Sequence, residues 1–294
     1  MRVAVVGAGA VGCFYGAILA RAGHWVTLVG RPQLVEAVND KGLLLETVKG
    51  RQNINLAATT RPDAVAGADL VLMCVKSADT KEAARQIAPF LDTTSPLWSL
   101  QNGVDNVDTL ELVLGRPAVP VAVYVAVELL APGHVKHHGR GDLVVGLSPS
   151  SDEIARAFIA AGISVELSDN AIGALWTKLI INCALNALSA ITGRPYGMLI
   201  GQGGVDDLVR GVIEECLALA RASNVSVPAD IHQTVASLGI TMAGQLSSTA
   251  QDLAKGKKTE INHLNGFIVR KGRHLGIATP VNQALHTLVE LLEK

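Results

Sequence analysis

Residues 1–32 read MRVAVVGAGAVGCFYGAILARAGHWVTLVGRP. An apolar run, Val3–Val6, meets Gly7-Ala8-Gly9-Ala10-Val11-Gly12; a helical periodicity then extends to Arg21, and a second apolar run covers Trp25–Val29. Strand, glycine turn, helix and strand in this order make a βαβ unit, and each glycine of the GxGxxG spacing has its own task. The first makes the tight turn, the second admits a pyrophosphate against bare backbone, and the third lets helix and strand approach. The helix N-terminus then presents free N–H groups to the phosphates. GxGxxG alone is a weak signal, but one that follows an apolar strand and opens a helix predicts a dinucleotide-binding turn.

The end of the second strand selects the nucleotide. An NAD-type turn is followed, about 20 residues on, by an Asp or Glu that bonds the ribose 2′-hydroxyl. Here the strand ends Val29-Gly30-Arg31-Pro32, and no carboxylate appears until Glu36. The Arg31 guanidinium fork matches a 2′-phosphate, so the expected cofactor is NADP. Two later strands, Leu70–Val75 and Leu97–Leu100, run into Lys76 and into Gln101-Asn102-Gly103. Open α/β sheets bind ligands outside the carboxyl ends of their strands, which puts Lys76 and Asn102 on the same edge as Gly7 and Arg31.

Outward from this unit, short apolar and longer amphipathic runs alternate to about Leu147, the pattern of parallel strands joined by helices. Closely spaced β signals follow at Val119–Leu129, Gly133–His138 and Asp142–Leu147, with Pro132-Gly133 and Gly139–Gly141 read as turns and Ile163–Leu167 as the last strand. Beyond Asp169-Asn170, helical periodicity dominates at about 171–192, 205–223, 230–255 and 260–275, broken at Gly201–Gly204, Pro228 and Pro280. The expected fold is α/β: an N-terminal Rossmann-type doubly wound sheet over residues 1–168 that binds NADP, and a C-terminal all-helical domain over 169–294 for substrate and dimerisation.

Composition agrees with this class. At roughly 100–200 residues per domain, 294 residues make two domains, and 49% hydrophobic content fills both cores. The formal charge of −1 offers no basic excess for nucleic acid or an acidic membrane surface. Cys13, Cys74, Cys183 and Cys216 are scattered, and His134, His137 and His138 cluster in a hairpin without ligand spacing, so neither a disulfide framework nor a metal is expected. Met1-Arg2 leads straight into a strand, unlike a secretory leader, and no run reaches about 18 uninterrupted apolar residues. A cytoplasmic protein is expected, and its apolar, helix-rich C-terminal half is compatible with a homodimer.

The segment Ala171–Ile191, AIGALWTKLIINCALNALSAI, is apolar on nearly every face, yet Lys178, Asn182 and Asn186 recur at i, i+4 and i+8. Buried polar groups need partners, so this stripe is expected to face a polar cleft or a hydrogen-bonded network. A second helix is expected near Thr259-Glu260, with Thr259 as its N-cap and Glu260 either a first-turn acid or the carboxylate that meets Lys178. Ser247-Ser248 offers hydroxyls for a substrate carboxylate.

Taken together, these residues resemble the ketopantoate reductase family over nearly the whole chain. The motifs come in order: Gly7 to Gly12, Arg31, Val75-Lys76, Ser99-Leu100-Gln101-Asn102-Gly103-Val104 and Pro132-Gly133-His134-Val135. Trp176-Thr177-Lys178-Leu179 with Asn182 and Asn186, Ser248-Thr249-Ala250-Gln251-Asp252, Thr259-Glu260-Ile261-Asn262 and Asn265-Gly266 complete the set. The resemblance implies NADPH-dependent reduction of 2-dehydropantoate to (R)-pantoate in pantothenate biosynthesis. It also implies Lys178 as proton donor, Asn102 in contact with cofactor and substrate, and Lys76 and Arg31 serving NADP. Asn182, Asn186 and Ser248 would bind the small 2-oxo acid, with Glu260 at the junction of substrate and cofactor. One departure stands out: where some members carry a further substrate-binding Asn, this chain has Tyr196. Two rival readings follow, a reductase of another 2-oxo acid on the same plan and a non-catalytic NADP-binding sensor. Substrate binding between two domains would bring closure, with a hinge near residues 168–170.

Overall fold

The computed structural model describes residues 1–293, and the chain divides into two compact units, Met1–Ala171 and Ile172–Lys294. In the first unit β1 (Arg2–Val6), α1 (Ala10–Arg21) and β2 (Trp25–Val29) form the expected βαβ start, followed by α2 (Pro32–Lys41), β3 (Leu43–Thr47), β4 (Gly50–Ile54) and β5 (Ala57–Thr59). Then come β6 (Leu70–Met73), α3 (Thr80–Ile87), β7 (Leu97–Ser99), α4 (Asn106–Leu114), β8 (Val119–Ala131), β9 (His134–Gly146), α5 (Ser151–Ala160) and β10 (Val165–Ser168).

Six strands stand in the order β5-β2-β1-β6-β7-β8, all parallel to their neighbours. From β1 the chain winds outward through β2 to β5, then crosses back to β6 and winds the other way, so the topological switch point lies between β1 and β6. Both strands read as buried apolar runs, β6 being Leu70-Val71-Leu72-Met73 with every residue buried, as a parallel strand covered on both faces must be. The sheet continues as β8-β9 antiparallel, β9-β3 parallel and a β3-β4 hairpin, with β10 parallel to β9.

Several expectations need correction here. Gly139–Gly141 is no turn: the two apolar runs around it form one strand, β9, and the glycine segment is absorbed by register shifts against β8. Long-range pairing with β8 supplies the ladder that local sequence does not announce. Strands β3, β4 and β5 escaped the reading because β4, GRQNI, is exposed at four of its five positions and β5, AAT, is only three residues long.

In the second unit α6 (Ala171–Thr192) and α7 (Val205–Ala222) match the periodicities. The 230–255 stretch is two helices, α8 (Ile231–Thr241) and α9 (Ser248–Ala254), because Ser247 caps a new start by accepting the Ala250 N–H at 3.0 Å. The α-helix expected at Thr259-Glu260 begins only at Asn265 as α10 (Asn265–Leu275); before it lies a 3₁₀ turn, Ile261–His263. Pro280 opens α11 (Pro280–Leu292), as a proline at the first helical position does. The α7 residue Glu215 accepts the N–H groups of Val281 and Asn282 at 2.8 and 2.9 Å and so caps α11 from a neighbouring helix. Helix α6 is long and apolar enough to cross a bilayer, but 67% of its most apolar window is buried in the protein, and packing accounts for its composition.

Candidate active site

At the carboxyl end of β1 the three glycines behave as their spacing demands. Gly7 has φ +105°, and a side chain there would sit on the Val75 backbone nitrogen beyond β6. A Cβ on Gly12 would sit on the Gly7 carbonyl oxygen and 3.2 Å from the Cys74 Cβ. Gly9 caps α1, is exposed, and has no atom within 4 Å of a built Cβ, so a side chain there would meet open space at the start of the helix. Ala8, Ala10 and Val11 complete the turn. The Gly7 and Ala8 N–H groups both bond the Val29 carbonyl, at 3.0 and 3.2 Å, which ties the turn to the end of β2. One residue on, Gly30 would place a Cβ 2.7 Å from that of Ala8, and exposed Arg31 caps α2. The structure thus brings Arg31 to the edge on which the glycine turn lies.

Lys76 and Asn102 follow β6 and β7 on that same edge. Lys76 is exposed and caps the 3₁₀ turn Ser77–Asp79; Asn102 is half-buried and precedes Gly103, whose φ is +91°. The two segments are joined by a buried polar network that sequence reading missed. Ser77 Oγ and Asn106 Nδ2 donate to the Asn102 carbonyl at 2.8 and 2.6 Å, Gln101 Nε2 donates to the Val75 carbonyl at 3.0 Å, and Thr80 Oγ1 donates to Asn106 Oδ1 at 2.8 Å. Each is a charge-free bond made by a buried side chain, Ser77, Thr80, Gln101 or Asn106, so the network fixes the backbone on which half-buried Asn102 is carried. In the sequence these Ser, Thr, Gln and Asn residues are indistinguishable from ordinary turn formers.

In the second unit the stripe on α6 is graded: Lys178 and Asn182 are half-buried, and Asn186 is 3% exposed. Asn186 Oδ1 accepts a 3.1 Å bond from Tyr196 Oη, and its carbonyl accepts Ser247 Oγ at 3.1 Å. Burial pushes the Tyr196 hydroxyl up to about 12, so it stays a donor at neutral pH. Ser247 also gives its N–H to Ser189 Oγ at 3.1 Å, which docks the start of α9 on α6 and places Ser248, exposed, on the first residue of α9. Thr259 Oγ1 accepts the Ile261 N–H at 3.1 Å and donates to Glu293 Oε1, holding the turn that half-buried Glu260 begins. Asn265 is wholly buried and donates to the Cys183 carbonyl and to Asn282 Oδ1, at 3.1 and 3.0 Å, securing α10 against α6 and α11.

The cysteines are free; Cys13, Cys183 and Cys216 are buried and Cys74 is half-buried. Burial pushes the Cys13 thiol up to about 12, far from the range of a reactive thiolate.

Residues 3–150 match the family model for ketopantoate reductase PanE/ApbA, and residues 170–293 match the one for its C-terminal domain. The chain is similar to the 2-dehydropantoate 2-reductase of Pyrococcus horikoshii, 31% identical over 300 residues that cover 100% of this chain and 98% of the relative. The 2-dehydropantoate 2-reductase of Vibrio cholerae is likewise 31% identical, over 303 residues, with 100% and 98% covered. Among solved structures, a PanE/ApbA family ketopantoate reductase from Ralstonia eutropha JMP134 superposes with a TM-score of 0.96 at 53% identity, covering 100% of this chain and 98% of that one. A D-mandelate dehydrogenase in ternary complex with NADH and anilino(oxo)acetate shares the fold, with a TM-score of 0.92, 24% identity, and 100% and 98% covered. Two successive family models over almost the entire length, in the order the motifs require, make this chain a member of the ketopantoate reductase family of oxidoreductases.

Proposed function

We propose that this protein reduces 2-dehydropantoate to (R)-pantoate with NADPH, a step of pantothenate biosynthesis. The observation that carries the cofactor half of this reading is the open space at Gly9 on the N-terminus of α1, with Arg31 on the same sheet edge, one residue past the Gly30 that packs on Ala8. That arrangement fits a dinucleotide: Gly7 to Gly12 would take the pyrophosphate on backbone N–H groups, and Arg31 the 2′-phosphate, with Lys76 adding a second cation on the same edge. The substrate half rests on the relatives, whose names specify 2-dehydropantoate.

NADPH, when bound, supplies a hydride to the ketone carbon. Negative charge then develops on the carbonyl oxygen, and Lys178 donates a proton to it. Lys178 is carried on α6 one turn before Asn182, half-buried, so its ammonium lies on the same helix face as the amides that would hold the acid. Glu260 orients the ammonium or bonds the substrate hydroxyl. Asn102 touches both cofactor and substrate on a loop that the Ser77–Asn106 network holds still. Asn182, Asn186 and Ser248 bind the remaining polar groups of the acid. The Tyr196 bond to Asn186 Oδ1 orients the carboxamide, and its amino group would donate to acceptors such as a carboxylate or a carbonyl oxygen. The reading includes a cytoplasmic enzyme with no nucleic-acid or membrane partner, as a monomer or a homodimer that light scattering would distinguish.

The test is NADPH oxidation by the purified protein with 2-dehydropantoate, pyruvate and 2-oxoisovalerate in parallel. Turnover on 2-dehydropantoate well above the other two is expected. Preference for another acid would shift the assignment to a different 2-oxo acid, a reading that Tyr196 beside Asn186 keeps in play. NADPH binding with no turnover on any of them would overturn the reductase reading and leave the sensor. Arg31→Ala should weaken NADPH binding by about 1.5–3 kcal/mol, the value of a hydrogen bond to a charged group, and leave NADH binding unchanged.

A further inference from the structure

Strand β9 carries a feature that the reductase chemistry does not use. Tyr124 pairs with Asp142 and Val125 with Arg140, which leaves Gly141 as an extra residue in a bulge; a second shift follows two residues later. Arg140 has φ +58°, the left-handed region that a residue with a side chain seldom occupies. Three contacts hold it there: His137 Nε2 donates to the Arg140 carbonyl at 2.5 Å, Arg140 Nε donates to Asp142 Oδ2 at 3.0 Å, and the guanidinium lies 4.7 Å over the Tyr124 ring. His137 in turn stacks on Phe14 of α1, with ring centroids 4.5 Å apart and planes 21° apart.

Strain of this kind persists where neighbouring structure over-determines it, and bulges gather where a strand must re-aim side chains at a binding site. Here the bulged segment forms one wall of a cavity of about 320 Å³ that runs along α1. Phe14, Ile18 and Ile163 give it an apolar floor. Arg21, Lys49 and Arg140 put three permanent cations on its rim against a single carboxylate, that of Asp142. In a chain whose formal charge is −1, this is a local concentration of positive charge over an apolar base. The volume lies at the lower end of ligand sites, which run from about 300 to 1,000 Å³ and combine apolar walls with a few charged groups. None of the residues assigned above to dinucleotide or substrate lines it.

We propose that this cavity binds a small organic anion, a carboxylate or a phosphate on an apolar body, independently of the dinucleotide. The guanidinium and ammonium groups would take the anionic head, and Phe14, Ile18 and Ile163 the apolar body.

Isothermal titration of the protein saturated with NADPH tests this, with phenyl phosphate, benzoate and uncharged benzyl alcohol as probes. Saturable binding of an anionic probe but not of benzyl alcohol is expected, and which anion binds more tightly tells phosphate from carboxylate. Arg21→Glu combined with Lys49→Glu, both exposed positions, should weaken anion binding by about tenfold or more while NADPH affinity and reductase turnover stay unchanged. Arg140→Gly provides a second variant, since glycine adopts φ +58° without strain; it should fold and lose affinity for the anion. No saturable binding, equal binding of benzyl alcohol, undiminished affinity in the charge-reversed variant, or displacement of the bound probe by further NADPH would each overturn the proposal. Failure of the reductase reading would leave these titrations unaffected.

Discussion

Tyr196 donates its hydroxyl to Asn186 Oδ1 at 3.1 Å, and both side chains are buried. One residue lies on the polar stripe of α6 and the other in the connection that follows it. The bond fixes which end of the Asn186 carboxamide faces away from Tyr196, and Ser247 holds the same residue through its backbone.

Replacing Tyr196 by Phe leaves Asn186 Oδ1 buried without its donor. An unsatisfied buried acceptor costs about 1–3 kcal/mol, so urea unfolding should show a loss of that size. A freed carboxamide also adopts more than one orientation, and KM for the 2-oxo acid should rise more than kcat falls. An unchanged unfolding midpoint and KM would remove Tyr196 from any positioning role.

Lys178→Ala should lower turnover by about 10²- to 10⁴-fold, the range typical of a lost general acid. NADPH affinity, measured by quenching of nucleotide or tryptophan fluorescence, should stay within a factor of about two of the wild type, because the dinucleotide turn belongs to a separate compact unit. Turnover that survives in the variant would assign the proton to another donor.

Two glycines of the same motif should fail in different ways when changed to Ala. At Gly9 a methyl group meets nothing within 4 Å, so the variant should fold with no more than the roughly 1 kcal/mol loss of an alanine N-cap while its NADPH affinity drops by about tenfold or more, the methyl occupying the space a pyrophosphate would need. At Gly12 the methyl meets the Gly7 carbonyl and, at 3.0 Å, Val5 Cγ1. Overpacking of about 1–3 kcal/mol then outweighs the roughly 1 kcal/mol by which Ala exceeds Gly in helix propensity. Thermal unfolding should therefore be lowered more by Gly12→Ala than by Gly9→Ala, and NADPH titration should show the loss of affinity in Gly9→Ala.

Glu46 on β3 gathers Lys136 at 3.1 Å, His134 at 3.1 Å and Arg51 at 2.8 Å. The Lys136 ammonium above all, with His134 and Arg51, holds its carboxyl down at about 2, below the ordinary 4.5. A carboxyl depressed in the folded state binds fewer protons than in the unfolded chain at moderately acid pH. Its stabilising effect is present above about 4.5 and is lost as pH falls toward about 2. Acid titration of stability should be flatter in Glu46→Gln than in wild type across that window, with the two curves offset by a constant amount near neutrality. Parallel curves throughout would show that Glu46 does not contribute to the acid limb.

How far the sequence was legible follows from where each signal lives. The βαβ unit, the glycine turn, Arg31 after β2 and the α6 stripe are written in local periodicity and in residue types with steric consequences, so they can be read in a window of a dozen residues. Strands β4 and β5 have no such signal, and they form because β3 and β2 present unpaired edges to them. The single long β9, whose local signal is two apolar runs around a glycine segment, is a product of its partner β8, whose ladder runs through the glycines and leaves Gly141 bulged beside Arg140.

The class of fold, the dinucleotide turn and the order of candidate site residues follow from local residue patterns, because glycine sterics, strand burial and helix spacing act over short distances. Tertiary structure alone decided which polar residues support that site. The Asn106–Ser77–Asn102 bonds join loops 25 or more residues apart, and Tyr196 reaches Asn186 across 10 residues. Each is a hydrogen bond whose partner is chosen by the packing of distant elements, and only in a water-poor interior does leaving it unmade cost enough to fix the arrangement.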